Sequence, residues 1–237
     1  MKNEWKSLLT DMLAHLFFPP VCPGCGRTVG KQEIFCPVCQ KQLHLLKPGD
    51  TCPRCGKTAC ICDKLHPLFT QVYPAGFYEG SIQSAIRNLK FQHQPGHFRP
   101  LGRLLANTLE RYHVTAADFD LLAAVPMSRK RQKARGYNQA ALLARSVSEQ
   151  TGIPFCSHAL TKIRETKAQH DLSAQMRRTN LKGSFIADSA VSGKRVLLID
   201  DVFTTGSTAN EAAEVLLQAG AISVDVLVLA STRFETL

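Results

Sequence analysis

The chain has 237 residues, 44% of them hydrophobic, and a formal net charge of +10 at neutral pH. These values exclude a peptide hormone and a wholly disordered chain, and leave room for one full-sized domain with a small appendage. No apolar run approaches the roughly 20 residues of a membrane-spanning helix, and the segment from Leu13 to Phe18 stops at Pro19 and Pro20. The opening MKNEWKSLLTDMLAHL carries Glu4 and Asp11 and lacks a small-residue cleavage site, so it does not read as a signal peptide. A cytoplasmic protein is expected, one that could also meet the inner face of the membrane.

Trp5, Leu8, Leu9, Met12, Leu13 and Leu16 fall at helical spacing and predict an amphipathic helix packed on the cysteine-rich segment or on the main domain. Its polar side holds acids as well as lysines, which makes a membrane-surface role the less favoured reading. Eight of the nine cysteines then crowd into residues 22 to 62, with Cys156 apart. Clustering at hook spacing points to metal rather than to disulfides. Cys22-Pro-Gly-Cys25-Gly and Cys36-Pro-Val-Cys39 are two C-x2-C turns, each able to wrap one side of a zinc ion. Cys52-Pro-Arg-Cys55-Gly with Cys60-Ile-Cys62 is a weaker copy with a shortened second hook. Sequential pairing is preferred, while a crossed arrangement that joins Cys22 and Cys25 to Cys52 and Cys55 stays open. All ligand positions are sulfur, which defines structural sites: one or two zinc ions that fold a stretch too poor in apolar side chains to fold alone. Two such sites, at −2 each, lower the formal charge to about +6, still suited to a polyanion or a phosphorylated ligand.

Residues 1–66 are thus expected to form the N-terminal helix and zinc ribbons, and residues 67–237 a second unit. In that unit Ile82, Ala85, Ile86 and Leu89, and then Leu101, Leu104, Leu105 and Leu109, mark two helices around a loop from Gln92 to Gly96. Short apolar runs from Asp120 to Val125, Lys194 to Ile199 and Ile222 to Ala230 read as strands. Helices over about 138–150 and 207–219 lie between them, ended by Gly152 and Gly220. Strands alternating with helices predict an α/β fold, a parallel sheet flanked by helices.

The most informative stretch is Val196-Leu-Leu-Ile-Asp200-Asp201-Val-Phe-Thr204-Thr205-Gly206-Ser207-Thr208. A buried strand brings two carboxylates to its C-terminal edge, where α/β sheets bind ligands. The small-residue turn after it opens a helix whose first amides suit a phosphate, while the carboxylates suit ribose hydroxyls. A strand ending in Asp-Asp also occurs in P-loop ATPases and response regulators. The chain has no G-x4-G-K-[ST] to cradle a triphosphate, and too little sequence follows Asp201 for a receiver domain. The thirteen residues resemble the phosphoribosyl pyrophosphate (PRPP) motif of type I phosphoribosyltransferases. That resemblance implies PRPP at Asp200, Asp201, Thr204, Thr205, Gly206, Ser207 and Thr208, with Mg2+ accompanying the pyrophosphate.

Two further segments match the same pattern. Pro126-Met-Ser-Arg129-Lys130-Arg131-Gln-Lys133-Ala-Arg135-Gly-Tyr-Asn-Gln139 starts at a strand end with five bases and no acid, which places cations near a pyrophosphate. The stretch from Arg164 through Lys167 to Leu181 resembles the loop that closes over PRPP. With the zinc hooks and Leu89-Lys90-Phe91, these segments follow the order of the ComF family, which the chain resembles over nearly its whole length. The resemblance implies a PRPP-binding protein that internalises single-stranded DNA in natural transformation or uses DNA as a nutrient, with the competence DNA-translocating ATPase as a partner. The chain starts Met1-Lys2, with no N-terminal cysteine nucleophile and no room for a glutaminase, so glutamine amidotransfer is not expected. Whether it is an enzyme stays open. A metabolic phosphoribosyltransferase is the alternative, and a pure nucleic-acid module in which the acids are relics is disfavoured. A single-strand surface could draw on Arg129 to Arg135, the Arg164 to Lys182 segment, Arg27, Lys31, Lys41, Arg54 and Lys57, with Phe35, Phe91 or Tyr137 stacking on bases.

Overall fold

The computed structural model describes residues 20–91, 97–164 and 183–233. The expected N-terminal helix, and Lys167 of the expected closing loop, lie outside them. In the cysteine-rich part are two one-turn helices, α1 (Pro37–Gln40) and α2 (Cys62–Leu65). There follow β1 (Val72–Phe77), α3 (Gly80–Phe91), α4 (Phe98–Arg111), β2 (Leu121–Ala124), α5 (Arg129–Arg135), α6 (Gln139–Thr151), β3 (Leu160–Lys162), β4 (Phe185–Ala187), β5 (Arg195–Phe203), α7 (Ser207–Gln218) and β6 (Ser223–Ser231).

Strands β1, β6, β5 and β2 form a wholly parallel sheet in that order, while β3 and β4 pair antiparallel beside it. A parallel sheet needs cover on both faces, and strand alternation divides the labour. Leu197 and Ile199 of β5, with Leu227 and Leu229 of β6, pack toward α3, α4 and α6. Val196 and Leu198, with Val224, Val226 and Val228, pack toward α7. The cysteine-rich part straddles the sheet at its β1 edge. Its first half contributes Cys22, Val29 and Phe35 to the α3/α4/α6 face, and its second half contributes Cys55, Leu65 and Phe69 to the α7 face. Pro74 and Gly76 inside β1 erase the alternation that would announce a strand, so β1 was not among the expected elements. The cysteine-rich part covers this edge: Leu46 N donates to Ala75 O at 3.0 Å and Leu45 bridges Gly76. A Cβ on Gly76 would lie 2.7 Å from His44 O, so the close approach requires glycine there.

The basic stretch that follows β2 forms helix α5. Ser128 Oγ accepts from Arg131 N at 3.4 Å, and Gly136, at φ 87°, ends the helix. Arg, Lys, Gln and Ala are strong helix formers. No side chain of α5 is buried, so there was no apolar period to detect.

Candidate ligand site and two candidate metal centres

β2 ends at Ala124, opposite Ile199, whereas β6 stays paired with β5 as far as Phe203. Asp200 and Asp201 therefore stand just past the last β2 rung, at a notch in the C-terminal edge. Because successive side chains point to opposite faces, Asp201 falls on the α3/α6 face and Asp200 on the α7 face. Asp201 is buried; its Oδ1 lies 2.9 Å from Lys90 Nζ, and its Oδ2 accepts from Gln139 Nε2 at 2.8 Å. Gln139 Oε1 in turn accepts from Arg135 Nη1 at 2.6 Å. One polar chain thus ties α3, β5, α6 and α5. Burial alone would lower the Lys90 ammonium, but the Asp201 carboxylate outweighs it and holds the group above the usual lysine range. Among the described residues Asp200 has no ion pair of its own and feels only the more distant Lys90. Burial first, and then the charge of Asp201, push its carboxyl up to about 7, while its Oδ1 accepts from Asp201 N at 2.8 Å.

After Phe203 the chain turns through Thr204, Thr205 and Gly206 into α7. Gly206 has φ 76°, and a Cβ there would lie 2.6 Å from Phe203 Cζ and 2.8 Å from Leu65 Cδ2, so only glycine fits. Thr205 Oγ1 and Ser207 Oγ are 2.9 Å apart, and Ser207 N donates to Thr205 Oγ1 at 3.3 Å. Gly206, at the N-cap, has no side chain to cap α7, so apart from the Ser207 amide taken by Thr205 Oγ1 the positive end of this 12-residue helix faces the hydroxyl-lined bend. Thr204 and Thr208 are part-exposed.

Of the expected cations, Arg129 and Lys130 are exposed on α5, which begins shortly after β2; Arg135 joins the Asp201 network; and Arg164 is exposed just beyond β3. Two residues offered for a nucleic-acid surface cannot serve it. Lys57 is 1% exposed and Phe35 is 3% exposed, both committed to the interior. Tyr137 is half-buried, its hydroxyl donating to Leu89 O at 2.6 Å. Sequence reasoning gave Lys90 and Gln139 no role in the site. The signal was their place in two of the matched segments, Leu89-Lys90-Phe91 and the basic stretch that ends at Gln139, which by itself assigns neither side chain a partner.

The cysteines assemble sequentially. The sulfurs of Cys22, Cys25, Cys36 and Cys39 lie within 4.8 Å of one another, as do those of Cys52, Cys55, Cys60 and Cys62, so the crossed pairing is excluded. Cys25 and Cys36 are 3.6 Å apart and Cys52 and Cys62 3.8 Å. A tetrahedron with zinc–sulfur arms of ~2.3 Å has edges of about 3.8 Å, so both clusters fit zinc. The leading hooks share one turn: Cys22 N donates to Arg27 O and Gly26 N to Cys22 O, while Cys52 N donates to Lys57 O and Gly56 N to Cys52 O. The short second hook is accommodated because Cys62 opens α2 and Ile61 N donates to Cys55 Sγ at 3.4 Å. Burial pushes the Cys39 thiol up to about 12 and raises Cys62 as well, so a central cation is what would make them thiolates. Cys156 belongs to neither cluster.

The parallel sheet, the acidic pair at its carboxyl edge, the hydroxyl-lined turn and the two sulfur clusters define a phosphoribosyltransferase-fold protein built onto a double zinc ribbon. The phosphoribosyl transferase domain family matches residues 134–236 and the double zinc ribbon domain family residues 13–68. The chain is 32% identical over 215 residues to the DNA utilization protein YhgH of Escherichia coli K12, covering 90% of each chain. It is 32% identical over 222 residues to competence protein F of Haemophilus influenzae, covering 91% of this chain and 92% of that one. Competence protein ComFC of Bacillus subtilis is 25% identical over 203 residues, with 79% and 80% covered. The chain belongs to the ComF family. Among the described residues no helix is long and apolar enough to cross a membrane.

Proposed function

We propose that the chain binds PRPP, or a closely related phosphosugar, at the β5–α7 turn and uses that site in the handling of single-stranded DNA, a reading supported by relatives that bear the names DNA utilization protein and competence protein. The observation that carries the reading is the juxtaposition at one sheet edge of two carboxylates and the hydroxyl-lined N-terminus of α7. The 5′-phosphate takes the amides and hydroxyls of Thr204 to Thr208, and the ribose hydroxyls donate to Asp200 and Asp201. Asp201 already accepts from Lys90 and Gln139, but an ionised carboxylate has about four lone-pair sites and retains capacity. Magnesium would arrive with the pyrophosphate beside Arg129 and Lys130. Such ions keep waters and phosphate oxygens and need at most one or two carboxylates, and the part-exposed Asp200 is available.

Calorimetric titration with PRPP and Mg2+ tests this reading. Micromolar or tighter binding is expected, and replacing both Asp200 and Asp201 by Ala should cost several kcal/mol, at about 1.5–3 kcal/mol per charge-assisted hydrogen bond. Unchanged affinity in the folded double variant refutes the site. A carboxyl held near 7 also suits proton exchange with an acceptor. This favours, as a second reading, a metabolic transferase that moves phosphoribose onto a small amine or base, and pyrophosphate release on adding candidate acceptors measures it.

For DNA, the exposed bases of α5 supply the cationic surface, while Arg27, Lys31 and Lys41 of the first ribbon and Arg54 of the second are exposed at the β1 side of the sheet. Binding to single strands should be independent of sequence and weaken steeply with salt. It should fall when Arg129, Lys130, Arg131 and Lys133 are neutralised. If no oligonucleotide binds at low salt, the link to DNA runs through a protein partner, such as the competence DNA-translocating ATPase at the inner face of the membrane.

A further inference from the structure

The second zinc ribbon is bonded to the underside of the proposed phosphate turn. Lys57, one residue past the Cys52/Cys55 hook and its glycine, is 1% exposed. Its Nζ donates to Thr232 O at 2.9 Å, to Thr232 Oγ1 at 2.7 Å and to Phe203 O at 3.4 Å, and lies 5.5 Å from the centre of the Phe203 ring. Phe203 is the last residue of β5, directly before the turn. Around this lysine, Leu65 of α2 packs under Gly206, Phe69 meets the Phe203 ring edge-on at 5.9 Å, and Leu68 N donates to Asn210 Oδ1 of α7 at 2.7 Å. Gly56 O accepts from Ser231 Oγ at 2.8 Å. A buried ammonium is costly to place unless its donors are used, and these are used on backbone and hydroxyl oxygens that fix where Phe203 and the following amides lie. The hook positions Lys57: Cys52 N donates to Lys57 O at 2.8 Å, so the sulfur cluster and the lysine share one turn.

We infer that the second sulfur cluster and the phosphate turn form one thermodynamic unit joined by Lys57 as a positioning residue, so that metal at Cys52, Cys55, Cys60 and Cys62 sets the affinity of the phosphosugar site. The first cluster has no such contact with the turn among the described residues; it meets α3 instead, where Asn88 Nδ2 donates to Pro23 O and Gly24 O. The inference rests on the phosphosugar reading for its ligand, but not for its mechanical part. Coupling of this kind is reciprocal: bound phosphosugar must retain the second metal by the factor that the metal improves phosphosugar binding.

The test compares wild type with Cys60→Ser and Cys25→Ser, two exposed ligands, one in each cluster, and with Lys57→Met, which keeps the apolar stem. Zinc content, amide exchange without ligand, and PRPP affinity are measured on the full chain. Cys60→Ser should lose one zinc, speed exchange of the Thr204 to Ser207 amides by about tenfold or more, and weaken PRPP binding to a similar degree. Cys25→Ser should lose one zinc and leave those amides unchanged. Lys57→Met should keep both metals yet show the faster exchange. Equal effects of the two cysteine variants on these amides, or none from either, would overturn the inference. If a variant does not fold, the wild type decides: saturating PRPP should slow chelator removal of one zinc but not of the other, and equal slowing of both, or of neither, rejects the coupling. Should PRPP not bind at all, the function proposed above fails, while amide exchange still judges the link between Lys57 and the turn.

Discussion

The two faces of the sheet carry the same equipment put to different ends. Each has a four-cysteine ribbon with an identical leading turn, and each receives one of the paired carboxylates. On the first face the ribbon braces α3: Asn88 donates to Pro23 O at 2.8 Å and Ser81 to Gln42 Oε1 at 3.1 Å. Two residues beyond Asn88, Lys90 neutralises Asp201. On the second face the ribbon braces the β5–α7 turn, and among the described residues Asp200 has no ion-pair partner of its own. The difference teaches that a ribbon's role here is set by what it leans on, not by its hooks. One stiffens the side of the site that carries Lys90 and the other the turn that leads into α7.

The largest effect expected is metal loss from both ribbons. The ribbons supply Cys22, Phe35, Cys55 and Leu65 to the two halves of the core. Structural zinc sites in small modules carry apparent binding energies of about 10–16 kcal/mol, on the order of a whole domain's stability. Exhaustive chelation should therefore abolish cooperative thermal unfolding, not merely lower its midpoint. If the midpoint fell by only a few degrees, the ribbons would be appendages and the comparison between faces would lose its basis.

Next comes the ion pair of the first face. Removing one partner of a buried pair costs about 3–5 kcal/mol, because the other charge is left uncompensated. Lys90→Met should destabilise in that range, and adding Asp201→Asn should restore most of the loss. Denaturant midpoints for the four corners of the cycle measure it, and additive effects would show that the two side chains do not act as a pair.

The helices with an apolar stripe, the acidic strand end and the zinc hooks were legible because each is a local signal: a period, a turn residue, a spacing. What escaped was mostly non-local. Pairing of Asp201 with Lys90 spans the whole crossover from β1 to β5, and Lys57 reads as one more surface cation until Thr232 and Phe203 close over it. β1 carries Pro74 and Gly76 and becomes a strand through β6 on one side and Leu45 and Leu46 on the other. The pairing of cysteines, open from spacing alone, was settled when the two ribbons fell on opposite faces.

The smallest effect separates the two carboxylates themselves. Asp200 has a folded-state pKa raised to about 7 by burial and by Asp201, against about 3.9 for an unfolded aspartate. A raised pKa means that the folded state holds a proton the unfolded state gives up. The stability this contributes is complete below about pH 4 and is lost as pH climbs through the folded value near 7. Asp200→Asn keeps the oxygen that accepts from Asp201 N but cannot ionise. In the ligand-free protein it should match the wild type near pH 4 and become the more stable of the two by about 1–2 kcal/mol above pH 7, a figure reduced from the full shift because Asp200 is part-exposed. Asp201 predicts the opposite sign. Its carboxylate is already neutralised by Lys90, so Asp201→Asn should destabilise at neutral pH. Thermal midpoints of both variants between pH 4 and 8 make the comparison, and a loss of stability in Asp200→Asn at pH 8 would mean that the second face supplies this carboxylate with a cation after all.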